Sequence, residues 1–294
     1  IAFNTAFTAV LGAMTQLSAT ALQLLEIVPI FERVKPVLEE ETEVNDDRRH
    51  PGELTGDNEL YHVNFRYAPE GPLIVKNVDL KIRRGEFVAF VGPSGSGKST
   101  LLRILLGFEV PESGHIYYDG QDLQSLDLRD VRRQMGVVLQ TSQLMPTTVY
   151  NNIIGSSTTL TVEDAWEAAR ASGLEGDIKN MPMGMHTVVS EGGGGFSGGQ
   201  KQRLMIARAL VHKPRIVFFD EATSALDNQT QKIVTESLDR MDSTRISVAH
   251  RLSTVVDADK IVVLKDGEIV EVGRFEELME QQGVFFELAQ RQQL

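Results

Sequence analysis

Along the first 25 residues apolar side chains recur at Phe3, Phe7, Val10, Leu11, Met14, Leu17, Ala21 and Leu24, the spacing of one helix face, and no charge occurs before Glu26. The stretch predicts a long amphipathic helix of about the length of a membrane span. Asn4, Thr5, Thr8, Thr15, Gln16, Ser18, Thr20 and Gln23 make it too polar for a helix facing lipid. Two readings stay open: the packed end of a membrane helix, or a soluble core or coiled-coil helix. Pro29 and Pro36 are expected to interrupt the pattern, and Glu39 to Glu59, acidic and containing Pro and Gly, reads as a linker.

Beyond it the period changes. Tyr61, Val63, Phe65 and Tyr67 alternate with polar residues, as do Val78, Leu80 and Ile82, which predicts an antiparallel β-layer. Phe87 to Val91, Val137 to Gln140, Ile216 to Asp220 and Ile246 to His250 instead read as apolar strands of a largely parallel sheet, the later ones preceded by helical stretches. His115 to Tyr118 predicts a short strand, and residues 148 to 181 are mostly helical, with Thr161 and Asp164 as a capping box. Ile261 to Leu264 and Glu268 to Val272 flank Asp266-Gly267 as a hairpin, with helices to the end. The class is α/β.

Composition narrows the partners. The 294 residues are 41% hydrophobic, enough for a core, and carry a net charge of −12, which gives no general attraction to nucleic acid or an anionic membrane surface. There is no cysteine, so disulfides, zinc-thiolate sites and thiol catalysis are excluded. The first residue is Ile and no signal peptide follows, so the chain is expected to be a fragment of a longer protein.

Gly92-Pro93-Ser94-Gly95-Ser96-Gly97-Lys98-Ser99-Thr100 fits the phosphate-binding pattern G-x-x-x-x-G-K-[ST], between an apolar strand and the helical run Leu101, Leu102, Ile104, Leu105. Glycines let backbone N–H groups turn around phosphate oxygens, Lys98 brings charge to the β- and γ-phosphates, and Ser99 offers a hydroxyl to Mg²⁺. Asp220 and Glu221 end a buried strand, the edge at which ligands of open α/β sheets bind. Asp220 suits Mg²⁺, and Glu221 can accept a proton from attacking water. Ser197-Gly198-Gly199-Gln200 opens another helix and forms an anion site without a basic side chain.

That Ser-Gly-Gly-Gln between a P-loop and an Asp-Glu strand resembles the signature of ATP-binding cassette (ABC) ATPases, although Phe196 stands where Leu is usual. The resemblance runs over residues 60 to 282. It implies a P-loop core with an antiparallel β-subdomain and a helical signature subdomain at about 141–212, the cassette occupying 59–294 after a linker at 41–58. It also implies that Tyr67 stacks on adenine and that Gln140 senses Mg²⁺. His250 would contact the γ-phosphate, and Ser224-Ala225-Leu226-Asp227 would link two sites. ATP and Mg²⁺ are the implied ligands, and a second nucleotide-binding domain the implied partner, its Ser197, Gly199 and Gln200 facing this chain's γ-phosphate. Catalysis falls to Glu221, His250, Lys98 and Gln140.

Thr187 to Gly192 resembles the X-loop of exporter cassettes, with Ser190 where Gly is more usual, and residues 1–40 look like the end of a last transmembrane helix fused to the cassette. Both imply an exporter on the cytoplasmic face of a bacterial inner membrane, most similar to peptide or bacteriocin exporters. The alternatives are an importer ATPase docking on a separate membrane protein, a soluble cassette of the DNA-repair or translation kind, and a cassette that binds without hydrolysis. An intact Lys98, Asp220, Glu221 and His250 argues against the last.

Overall fold

The computed structural model describes residues 2–39, 48–220, 227–249 and 251–292. Contacts divide the chain into two units, Ile1–Asp46 and Asp47–Leu294.

The first unit is one helix, α1 (Ala2–Glu39), none of whose side chains is buried. Contrary to expectation, Pro29 and Pro36 lie inside it. Each removes one ladder hydrogen bond, which bends a helix as readily as it ends one, and at i and i+7 the two share a face. By length and composition α1 could cross a membrane. Thr8, Thr15, Ser18 and Thr20 donate their hydroxyls to the carbonyls of Asn4, Leu11, Met14 and Gln16, at 2.7 to 3.0 Å. Four of the side chains that count as polar in the sequence thus satisfy their donors within the helix, which lowers the cost of facing lipid.

The strands of the second unit, in chain order, are β1 (Asn58–Phe65), β2 (Val75–Ile82), β3 (Phe87–Val91), β4 (Ser113–Tyr118), β5 (Gln121–Asp122), β6 (Met135–Val138), β7 (Ile216–Asp220), β8 (Thr244–Val248), β9 (Lys260–Lys265) and β10 (Glu268–Gly273). The helices are α2 (Lys98–Leu105), α3 (Leu128–Arg133), α4 (Val149–Ile154), α5 (Val162–Ala171), α6 (Glu175–Asn180), α7 (Gly198–Leu210), α8 (Asn228–Arg240), α9 (Phe275–Gln281) and α10 (Val284–Gln292). One sheet is antiparallel, ordered β2-β1-β4-β5, and the other is ordered β10-β9-β3-β8-β7-β6, parallel except where β10 pairs with β9.

The apolar strands are buried on both faces because helices and the second sheet cover them. Val88 and Phe90 pack with Leu101 and Ile104 of α2 and with Leu60, Val63 and Phe65 of β1. On the opposite side Ala89, Val91 and Ile261 meet Phe285 of α10, while Val217 and Phe219 meet Ile206 of α7 and Val234 of α8. A separate core, with Ile153, Ala165, Ile178 and Leu204, joins α4, α5, α6 and α7.

The alternation in β1 differs from the sequence reading. Leu60, Val63 and Phe65 are buried but Tyr61 is half exposed, because the register slips between Leu60 and Val63, where His62 adopts φ +50°. The bulge turns the chain by one residue and moves Tyr61 to the outer face.

Candidate nucleotide site

The P-loop connects β3 to α2 in a shape that side chains would not permit. At Gly92 φ is +148° and a Cβ would lie 2.1 Å from the Leu264 carbonyl oxygen of β9. At Gly97, which precedes α2, φ is +100° and a Cβ would lie 2.9 Å from the Ile74 carbonyl oxygen. Gly95 also has positive φ, +79°. Left-handed backbone at these glycines turns successive N–H groups toward one concavity at the α2 N-terminus.

Lys98, only 4% exposed, donates through Nζ to the carbonyls of Gly92 at 2.9 Å and Pro93 at 2.8 Å. The ammonium thus spans the loop. Ser96 is also buried, and its Oγ has no hydrogen-bond partner among the described residues. A cavity of about 490 Å³ opens here, lined by Ile74, Ser94, Gly95, Gly97, Lys98, Ser99, Thr100 and Gln140. A glycine cradle and a buried ammonium fit a chain of phosphates.

Tyr67 stands just past β1, 58% exposed, its ring edge-on to Phe65 and its hydroxyl 3.1 Å from Thr100 Oγ1. An aromatic face is therefore fixed beside the P-loop helix and open to solvent.

Sheet register brings the other groups to the same edge. Phe90 of β3 pairs with Val248 of β8, which pairs with Asp220 of β7, and Phe219 pairs with Val138 of β6, two residues before Gln140. Asp220 is 8% exposed at its strand end. Glu221, Ser224, Ala225, Leu226 and His250 lie outside the described residues. Among the described residues no cluster of three or more His, Asp or Glu could hold a metal ion. One carboxylate, one hydroxyl and one amide, from Asp220, Ser99 and Gln140, suit a cation such as Mg²⁺ that keeps waters and binds mainly through phosphates.

Arg208 in α7 pins the chain after Gln140. It donates to the Asn152 carbonyl at 2.7 Å, to Asn152 Oδ1 at 2.6 Å and to the Gln143 carbonyl, while Asn152 exchanges hydrogen bonds with the backbone of Met145. Burial pulls the Arg208 guanidinium below its ordinary pKa.

Ser197, Gly199 and Gln200 do not line the P-loop cavity. Ser197 caps α7 in a reciprocal box: its Oγ accepts the Gln200 N–H at 3.2 Å and its own N–H donates to Gln200 Oε1 at 2.9 Å. The pattern Ser-x-x-Gln, readable in the sequence, is the signal for this box, which sequence reasoning missed. Ser197 and Gly198 are exposed, and a Cβ at Gly198 would meet nothing within 4 Å. Asp227 caps α8, accepting the Thr230 N–H at 2.8 Å. Hydrogen bonds from the Thr230 side chain and backbone hold its carboxyl below the usual range, with Arg203 adding to the effect. The Arg208–Asn152 contact was not legible in the sequence, since its partners lie 56 residues apart.

A family model described as ABC transporter matches residues 75–224. The leukotoxin translocation ATP-binding protein LktB of Mannheimia haemolytica is 41% identical over 282 residues, 95% of this chain and 40% of that protein. The protein of the same name from Bibersteinia trehalosi matches with the same identity and coverage. Among solved structures, a bacterial Atm1-family ABC exporter with ATP bound superposes with a TM-score of 0.79 at 32% identity, covering 92% of this chain and 47% of that one. The chain therefore spans less than half the length of these relatives.

Proposed function

The chain belongs to the ABC transporter family, and we propose that it binds and hydrolyses ATP to drive an exporter, at the cytoplasmic face of a bacterial membrane. The observation that carries this reading is the P-loop cradle, with Lys98 buried beneath it and the Tyr67 ring fixed beside it.

Adenine stacks on Tyr67 and the phosphates enter the cradle, where Lys98 exchanges the Gly92 and Pro93 carbonyls for phosphate oxygens. Ser99, Gln140 and Asp220 would hold Mg²⁺, which neutralises charge on the β- and γ-phosphates. Glu221 accepts the proton of the attacking water and His250 steadies the γ-phosphate. The exposed Ser197 and the α7 N-terminus meet the γ-phosphate on a second copy, so two chains close head to tail over two nucleotides. No covalent intermediate is formed.

The export direction is supported by the LktB relatives, by the Atm1-family structure and by the Thr187 to Gly192 stretch. Helix α1 is assigned to a fused transmembrane part on its length and composition. The cargo is of the secreted peptide or toxin class, and nucleic acid is not a partner, in keeping with the net charge of −12.

Glu221→Gln removes the proton acceptor and keeps its size. It should retain ATP affinity, hydrolyse at less than about a tenth of the parent rate and accumulate an ATP-bound dimer on size exclusion. Hydrolysis above that level would contradict the assignment.

A further inference from the structure

The end of the signature motif is held from another element. Asp177 in α6 accepts Gln200 Nε2 on one carboxylate oxygen and Arg203 NH2 on the other, each at 2.8 Å. The opposite end of the Gln200 amide, Oε1, accepts the Ser197 N–H. A polar chain therefore runs from Asp177 through the Gln200 side chain to the residue that starts α7.

Its direction matters because a glutamine amide can turn over, exchanging acceptor for donor. Only with Oε1 toward Ser197 does the cap form, since a flipped amide would set its NH₂ against the Ser197 N–H. A carboxylate has acceptors alone, so Asp177 accommodates only the orientation in which Nε2 faces it. Arg203, one turn further along α7 and 15% exposed, occupies the second oxygen and keeps the carboxylate in place. On its far side Arg203 approaches α8: its Cδ and the Thr230 methyl both flank Gly173, and its charge favours the ionised Asp227 cap. The network thus reaches from the start of α7 to the start of α8.

We propose that Asp177 is a positioning residue for the signature half-site, setting the Gln200 amide and through it the Ser197 cap that a second copy's γ-phosphate meets. This rests on the reading that α7 completes a site across two copies.

The test compares Asp177→Ala and Asp177→Asn, each made in this chain both alone and with Glu221→Gln. In the Glu221→Gln background, ATP-driven dimerisation is followed by analytical ultracentrifugation. Asp177→Ala should weaken the dimer about 10-fold, and Asp177→Asn, which permits either amide orientation, about 3-fold. Binding of a fluorescent ATP analogue to dilute monomer should stay within twofold, about the error of such a titration, because the P-loop half-site is untouched. In the parent background kcat should fall while KM for ATP holds. If Asp177→Ala does not fold, the Asn variant, equal in size, carries the test.

A Glu221→Gln dimer that is equally tight with and without the Asp177 substitutions would overturn the proposal and leave the two-copy reading intact. Equal loss of monomer nucleotide affinity and dimerisation would make Asp177 a general structural residue and overturn it too. Failure of Glu221→Gln itself to dimerise with ATP would remove the two-copy reading and the proposal together.

Discussion

The P-loop and the signature loop are both glycine-containing turns that open a helix, yet they are built in opposite ways. The P-loop is shaped by tertiary contacts: Gly92 and Gly97 press against the carbonyls of Leu264 and Ile74, and Lys98 lies beneath the loop. The signature loop is shaped by its own capping box and by Asp177, has Lys201 Nζ on the Gly192 carbonyl at 2.8 Å, and leaves Gly198 in open space. Where the chain itself needs a glycine, the reason lies inside the fold. Where it does not, as at Gly198, the reason is sought in whatever approaches from outside. In the proposed site the P-loop supplies one half and the signature loop of a second copy the other.

Substitution separates the two kinds of glycine. Gly92→Ala has the largest expected effect, since its Cβ enters the Leu264 carbonyl at positive φ. It should destabilise the chain by about 3 kcal/mol, lower Tm by about 8 °C, and weaken ATP binding more than about 100-fold. Thermal melting with and without ATP checks both.

Gly198→Ala should behave differently. At the first position of α7 alanine is no worse than glycine, so Tm should stay within about 2 °C and monomer ATP affinity should be unchanged. The ATPase rate should nevertheless fall more than about 10-fold, because a methyl group stands where the second copy's phosphate approaches. An active Gly198→Ala variant would make the open space at this position incidental.

The smallest effect tests the base platform on the P-loop side. Tyr67→Ala should weaken ATP binding by about 1 to 2 kcal/mol through lost stacking. Tyr67→Phe keeps the ring but loses the contact with Thr100, and should cost no more than about threefold in affinity by nucleotide titration.

Legibility in the sequence follows the same division. The P-loop, the buried strands and the Thr161–Asp164 capping box could be read because each is encoded locally, by spacing or by apolar runs. The strand order β10-β9-β3-β8-β7-β6 could not, because it depends on which runs pair across the sheet. The bulge at His62 broke a clean alternation, and two prolines failed to end α1, since a local rule states a cost and not whether the surroundings bear it. Asp177 is one acid among 41 acidic residues in the chain, and only tertiary structure sets it against Gln200.

The claim that each loop is half a site is tested most directly by ATPase rate per molecule as a function of concentration. The chain is assayed from well below to well above the concentration at which Glu221→Gln dimerises with ATP. Specific activity should rise steeply with concentration and level off as dimers saturate, because no single chain holds both the Lys98 cradle and a facing Ser197. Specific activity that stays constant across the whole range, and unchanged in Gly198→Ala, would contradict it.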